Sequence, residues 1–390
     1  MNTESKINTK LARLYYIDWL RVLAMLSIFL MHNARFWDFG SWHVKSVEKS
    51  LGADIFVGFF HWLMPIFFIL AGASICYALK FRTAGGFAKE RTFRLLIPII
   101  ILGFFIIAPP QVYLERLTQS GFSGTFFQFY YPHYFDGVYG LGGNFALVPM
   151  HMWFLWLLFT YSLILLPLFL YNKETGKSLG SKLATLFENP WTLIVPALLI
   201  AVFQVLLNSL GELISWGGGW NHLSYLVFFF SGYLMFSNVK IQENIKRYAV
   251  IALVTALILQ VVDYLLQFAI KPDIPDGTAT SMVIWTLVTL RAWLFIIAII
   301  GFGRKYLNFN NRFLGYANEA VLPFYILHQT VIIIVGFFVL QWSIGIFPKY
   351  LIITTFSFII IMAIYELLVR RINIFRFLFG MRWKKKEKAV

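Results

Sequence analysis

Cysteine is almost missing from this chain: Cys76 is the only one in 390 residues. A disulfide framework is therefore excluded. Cys76 lies inside an apolar run and reads as a small buried hydrophobe. Charge is scarce as well, with Asp, Glu, Lys and Arg together making up 13% of the residues. The acidic half is the rarer, 18 residues against 33 basic ones. There is no H-x-x-x-H and no close His/Cys pair, so no metal site is assigned. The first apolar run is followed by no A-x-A-like cleavage site, and it reads as a retained span rather than a signal peptide. No internal repeat is visible, and no long polar segment breaks the chain into separate domains.

What fills the sequence instead is apolar bulk. Hydrophobic residues make up 59% and aromatics 19%, including 42 Phe. A water-soluble fold of this length could not cover so much apolar surface, which points to an all-α, polytopic membrane helical bundle. Crossing about 30 Å of hydrocarbon takes roughly 20 helical residues. About ten runs qualify on that measure, near residues 16–37, 55–79, 92–110, 150–171, 190–208, 221–237, 248–270, 281–302, 319–341 and 348–369.

Loop charges orient the bundle. With the N-terminus (Lys6, Lys10, Arg13) inside, the inner loops hold Lys80, Arg82, Lys89, Arg91 and Arg94, then Lys173, Lys177 and Lys182, then Lys240, Lys246 and Arg247, then Arg304, Lys305 and Arg312. The outer loops carry only scattered cations, such as Lys45, Lys49, Arg116 and Lys271. Both termini are therefore expected in the cytoplasm: residues 1–15 as a short leading segment, 16–370 as the membrane domain and 371–390 as a basic tail. The same asymmetry accounts for the net charge of +15 without a nucleic-acid partner. The longest outer connection, 111–149, includes "GFSGTFFQFYYPHYFDGVYGLGGN" and reads as an interfacial belt or a stacking surface for a ligand, as does "WGGGW" at 216–220.

Ionisable residues inside the spans are costly, about 2.5–3.5 kcal/mol each at mid-membrane, and so mark candidate sites. In "IDWLRVLAMLSIFLMHN", Arg21 and His32 are eleven residues apart. That spacing ends about 20° past three full turns, so one helix face carries both, about 16 Å apart along the axis. Asp18, three residues before Arg21, can pair with it. A snorkelling Arg21 and a helix-end His32 remain the simpler alternatives.

None of the seven histidines falls in an inner loop. His43 and His133 lie in outer loops, His61, His151 and His222 begin spans that enter from outside, and His328 is mid-span. An outer-facing cavity needing groups that titrate near neutrality would produce this bias. On the inner side, Arg91 and Arg94 form an R-x-x-R pair suited to a phosphate or pyrophosphate, or to topological anchoring. Arg291 is deep in the eighth span, where Asp263 of the seventh can neutralise it, either for packing or as part of a site.

Taken in order, these residues resemble the integral-membrane acyltransferase 3 family. Its marker in the first span, a basic residue, ten intervening residues and a histidine, is similar to Arg21 through His32. Its R-x-x-R resembles Arg91 to Arg94, and "HMWFLWLL" at 151–158 looks like its H-x-W-F-L segment. "SWHVKS" at 41–46 and "HMWFL" are closest to the glucan biosynthesis protein C branch, implicated in succinylating periplasmic glucans. The hydrolase-like extracellular domain of some relatives is lacking, which argues against a fused two-component transferase.

The resemblance implies an O-acyltransferase of the cell (inner) membrane. It would take an acyl group from a cytoplasmic acyl-CoA, with no resident cofactor, and pass it to a hydroxyl of an extracytoplasmic carbohydrate. Arg91 and Arg94, with Arg21 and its partner Asp18, would hold the donor or line its passage. His32 would act as general base or as acyl carrier. His151, Arg291 and His328 would position the acceptor or stabilise the oxyanion. A secondary transporter or proton-coupled permease is the rival reading, since ten spans and buried Asp263 and Arg291 are compatible with one.

Overall fold

The computed structural model describes residues 13–170, 179–207, 210–211, 214–269 and 278–384. Lys6, Lys10, Lys173, Lys177, Lys271 and residues 385–390 of the basic tail lie outside these. The α-helices of the described residues are, in order, α1 (Tyr15–Ala34), α2 (Leu51–Phe59), α3 (Leu63–Ala78), α4 (Ala84–Arg91), α5 (Ala108–Gln119), α6 (Phe126–Tyr130), α7 (Trp153–Ile164), α8 (Leu166–Leu170), α9 (Leu179–Leu186), α10 (Val195–Leu207), α11 (His222–Ser237), α12 (Val239–Ala269), α13 (Ala279–Tyr306), α14 (Arg312–Leu340), α15 (Ile346–Ile364) and α16 (Asn373–Leu378). A 3₁₀ turn joins α2 to α3, and π-helical segments at Thr92–Leu96 and Pro98–Ile107 join α4 to α5.

Eight stretches among the described residues are long and apolar enough to cross a bilayer, and Met150–Ile164 and His222–Ser237 are shorter apolar helices. Together they match the ten runs read from the sequence one for one. Several boundaries move, the third, seventh and ninth spans starting seven to nine residues earlier, at Ala84, Val239 and Arg312, and two other changes bear on the interior. The third span continues as helix to Gln119, so the long connection starts at Ser120 rather than near 111. The fourth breaks at Leu165, between α7 and α8.

Local chemistry sets many of the starts. Ser50, Thr83, Asn221, Thr278 and Asn311 each accept a hydrogen bond from a backbone N–H in the first turn of the helix they precede. Packing then sorts the helices. Much of α1, α3, α13 and α14 is buried, whereas α12 and α15 leave most of their length exposed as apolar side chains, as helices in lipid do. Where α3 crosses α11, Gly72 lies against the Phe229 carbonyl and Gly232 against that of Ile69, and a Cβ at either would collide with backbone. Small residues at such crossings let membrane helices approach closely.

The two short helices are what shape the interior. At 16 residues, α11 is about 24 Å long and falls short of a roughly 30 Å core. The WGGGW turn precedes it, and the last residue of that turn packs inward. Trp220 is fully buried, with its indole N–H donating to the His61 carbonyl at 3.0 Å. Gly218 has φ +72°, and a Cβ there would meet the Tyr225 hydroxyl at 2.2 Å, so only glycine fits. The helix of residues 150–164 likewise starts inside protein, with His151 and Met152 buried. Irregular backbone at such depth is tolerated only when protein surrounds it. The connection after α5 also folds back: Tyr134 and Phe129 are buried against Ala108 and Val112, and the Tyr134 hydroxyl donates to the Phe104 carbonyl at 2.8 Å.

Candidate active site

At the end of the bundle that carries Arg13 and α16, an open cavity of about 430 Å³ is lined by Arg13, Asp18, Arg21, Ser74, Tyr77 and Arg82, among others. Helix α1 brings Asp18 and Arg21 onto its wall. Arg21 donates to Asp18 Oδ1 at 2.9 Å, while Arg13 clasps Asp18 Oδ2 with two nitrogens at 2.9 and 2.7 Å. Arg21 also donates to the Ser74 hydroxyl. Asp18 is thus neutralised by two guanidiniums and fixes both side chains in place.

Arg91 and Arg94 stand next to this cavity but not among the residues lining it. Arg91 ends α4 with its guanidinium 4.8 Å over the Phe87 ring, and its Nε is buried without a partner. Arg94 sits in the wide turn that follows and lies within electrostatic range of Arg21. Arg82 and Arg382 complete the basic collar, both paired with Glu90 at 2.6 and 3.7 Å. This concentration of guanidiniums around few carboxylates can attract a multiply charged anion.

The opposite end of the α1 face carries His32. It is half-buried and meets the fully buried His328 of α14, Nδ1 to Nε2, at 3.0 Å. His328 Nδ1 lies 2.6 Å from the Tyr325 carbonyl, which can only accept, so that nitrogen carries the proton. His328 Nε2 is then a lone pair and His32 Nδ1 must be the donor. What remains on His32 is an Nε2 lone pair, the form a proton acceptor or nucleophile requires.

His151 joins the same cluster, its ring 4.9 Å from that of His328 and almost perpendicular to it. Its Nε2 lies 3.1 and 3.2 Å from the Tyr325 and Ile326 carbonyls, so it is a donor there and its Nδ1 faces Gln111 at 3.4 Å. Gln111 is held in turn by Thr330 at 2.8 Å and Gln329 at 2.9 Å. His328 is hydrogen-bonded to His32, while His151 joins them through its ring contact with His328 and through the Tyr325 carbonyl that both approach; with both nitrogens of His151 and of His328 engaged, the three are not a set of convergent metal ligands. Among the described residues no group of three His, Cys, Asp or Glu is placed to hold a metal.

Arg291 lies elsewhere. It forms a buried ion pair with Asp263 between α12 and α13, and Gln267 donates to Asp263 at 3.0 Å. The hydrogen bonds and ring contacts linking the three histidines do not include it. The expected neutralisation by Asp263 is thus present, while the grouping of Arg291 with His151 and His328 is not.

Sequence reading missed the support behind the histidines. Helix α5 presents Gln111, Glu115 and Gln119 at four-residue spacing, one polar face on an otherwise apolar span. That stripe was the available signal. Above His32, Trp42 packs at 5.2 Å between ring centroids, and Arg35 covers the other part of that indole. The loop carrying Trp42 is fixed by Asp38, which is buried and paired with both Arg35 and Lys45 at 2.5 Å. Burial pushes the Lys45 ammonium below its ordinary range, and the Asp38 carboxylate pulls it back up.

The cavity and the histidine cluster therefore sit at opposite ends of one helix face in a many-span bundle, an arrangement fit to bring an anionic carrier and a reacting hydroxyl to one protein from two sides. The model of the acyltransferase domain, that of the acyltransferase 3 family, matches residues 14–366. The chain belongs to this family and is a multi-pass membrane acyltransferase. No curated protein and no solved structure matches it.

Proposed function

We propose that the protein is an O-acyltransferase of the cell membrane that moves an acetyl or succinyl group from a cytoplasmic acyl-CoA to a hydroxyl of an extracytoplasmic glycan. The termini and the arginine collar face the cytoplasm, in keeping with the loop charges. The observation that carries this reading is the half-buried His32, proton-poised by His328, at the far end of the face that begins at Arg21.

The collar holds the phosphate-rich head of the donor, with Arg21 at the wall and Arg91 and Arg94 adding long-range attraction. The thin acyl arm reaches along α1. His32 Nε2 accepts the acceptor proton or takes the acyl group first, and His151 and His328 fix the geometry around it. A glucan acceptor, as in the glucan biosynthesis protein C branch, is the narrower expectation, resting on "SWHVKS" and "HMWFL".

The test is His32→Ala. The variant should reach the membrane in normal amount and lose acyl transfer to the envelope glycan by at least about 10²-fold, read by mass spectrometry of the glycan. Wild-type acylation in that variant would remove His32 from the chemistry.

A further inference from the structure

Beside the three clustered histidines stands a fourth with different backing. His43 Nδ1 lies 2.5 Å from Glu115 Oε2. A carboxylate only accepts, so Nδ1 carries the proton and Nε2 presents its lone pair. Glu115 is held by the Tyr139 hydroxyl, which donates to both its oxygens at 2.9 and 2.8 Å. One turn further along α5, Gln119 donates to the carbonyls of Trp42 and His43 at 2.7 Å each. His43 is thus fixed through both its ring and its main chain, and it is not fully enclosed, with 15% of its side chain exposed.

Its position relative to His32 is set by Trp42. The indole lies 5.2 Å from the His32 ring and 5.4 Å from the His43 ring. The two imidazoles therefore flank one aromatic wall and cannot be more than about 11 Å apart, close enough for one substrate molecule to touch both. Their supports differ in kind. A carbonyl-oriented neutral imidazole stands behind His32, and a carboxylate stands behind His43. A carboxylate stabilises the protonated imidazole and so makes the stronger base.

We infer that the two histidines divide the reaction, His32 carrying the acyl group and His43, with Glu115, deprotonating the acceptor hydroxyl. This rests on the acyltransferase reading above and chooses between its two roles for His32. In the first step His32 Nε2 bonds to the thioester carbon and the carbon–sulfur bond breaks, leaving thiolate and a positively charged acyl-imidazole. An acylated His32 has no lone pair on Nε2 and cannot serve as base for the second step. His43 Nε2 then takes the acceptor proton, the acceptor oxygen bonds to the acyl carbon, and the carbon–nitrogen electron pair returns to His32. His43 releases its proton to water and the thiolate draws one from water. Thioester and alcohol have become ester and thiol, with nothing oxidised or reduced.

The experiment uses full-length protein in proteoliposomes, with radiolabelled acetyl-CoA on the arginine side and a glucan oligosaccharide on the other. In His43→Gln and Glu115→Gln, transfer to the sugar should fall by about 10²- to 10⁴-fold for the former and less for the latter, while label accumulates on His32. Retained loading shows that the variants are folded. Hydroxylamine, a strong nucleophile that needs no general base, should still discharge the trapped label from both variants. Sugar transfer within twofold of wild type in His43→Gln overturns the inference, as does loss of transfer with no label ever held on His32. A wild-type protein that moves no acyl group would overturn the proposed function itself, a result distinct from either.

Discussion

Replacing His328 by Phe tests the tautomer logic of the site more sharply than removing His32. The Phe ring keeps the bulk of a side chain that is fully buried in α14, but it deletes the lone pair that His32 Nδ1–H meets at 3.0 Å. A donor left unpaired in a buried setting costs about 1–3 kcal/mol. That cost falls on one tautomer of His32 only, because the alternative moves the proton to Nε2 and leaves Nδ1 bare. The form with a free Nε2 lone pair should therefore fall by about 5- to 150-fold, taking 1.4 kcal/mol as a factor of ten. Loss of orientation adds to this.

The prediction is a kcat about 10- to 10²-fold below wild type, with KM for acyl-CoA nearly unchanged, since the arginine collar is about 16 Å away along α1. His328→Gln should recover part of the rate, because its amide oxygen can accept the same proton. Initial rates of acyl transfer in proteoliposomes, with membrane level and thermal stability as controls, decide it. Equal rates for His328→Phe and wild type would refute the relay. So would a loss appearing entirely in donor KM.

Two further perturbations address other parts of the molecule. Arg21→Ala removes charged hydrogen bonds worth about 1.5–3 kcal/mol, so KM for acyl-CoA should rise about 10- to 150-fold, with Arg21→Lys intermediate. A donor titration that does not move would take Arg21 out of the donor site. Asp263→Asn leaves Arg291 buried without a counter-charge and should destabilise the protein by about 3–5 kcal/mol. Adding Arg291→Met should restore most of it, and thermal unfolding in detergent that shows no rescue would refute pure neutralisation.

The spans were legible because apolar runs of about 20 residues with few charges match the thickness of a bilayer, and hydrocarbon permits only a helix for such a run. The Arg21–His32 face was legible because helical periodicity fixes direction from spacing alone. The partners of those residues were not. His32 meets a residue 296 positions away, and Gln111 one 219 away, and nothing local encodes which helices become neighbours. Arg291 illustrates the same limit. Its depth in a span was readable, but its separation from the histidines depends on how α13 packs. The packing of the short connections was not legible either: "WGGGW" reads as an interfacial turn or a stacking surface, and only the fold shows Gly218 pressed against Tyr225 and Met64.

One consequence of the fold concerns the route between the two ends. The cavity's lining on α1 stops at Arg21, while on that same face Met25 and Ile28 come next before His32 and are almost fully buried, at 3% and 2% exposure. By helical geometry both lie within about 40° of the Arg21–His32 line. Under the proposed function, an acyl arm entering from the collar would have to displace or slide past the Met25 and Ile28 side chains before it reached an imidazole. On that reading these side chains would cost less to move than a charged barrier, and with the arm absent their apolar packing would oppose the crossing of water and ions. A transferase that draws its donor from one side of a membrane and its acceptor from the other needs this property: a path that opens to a thin apolar thread and stays shut to everything hydrated.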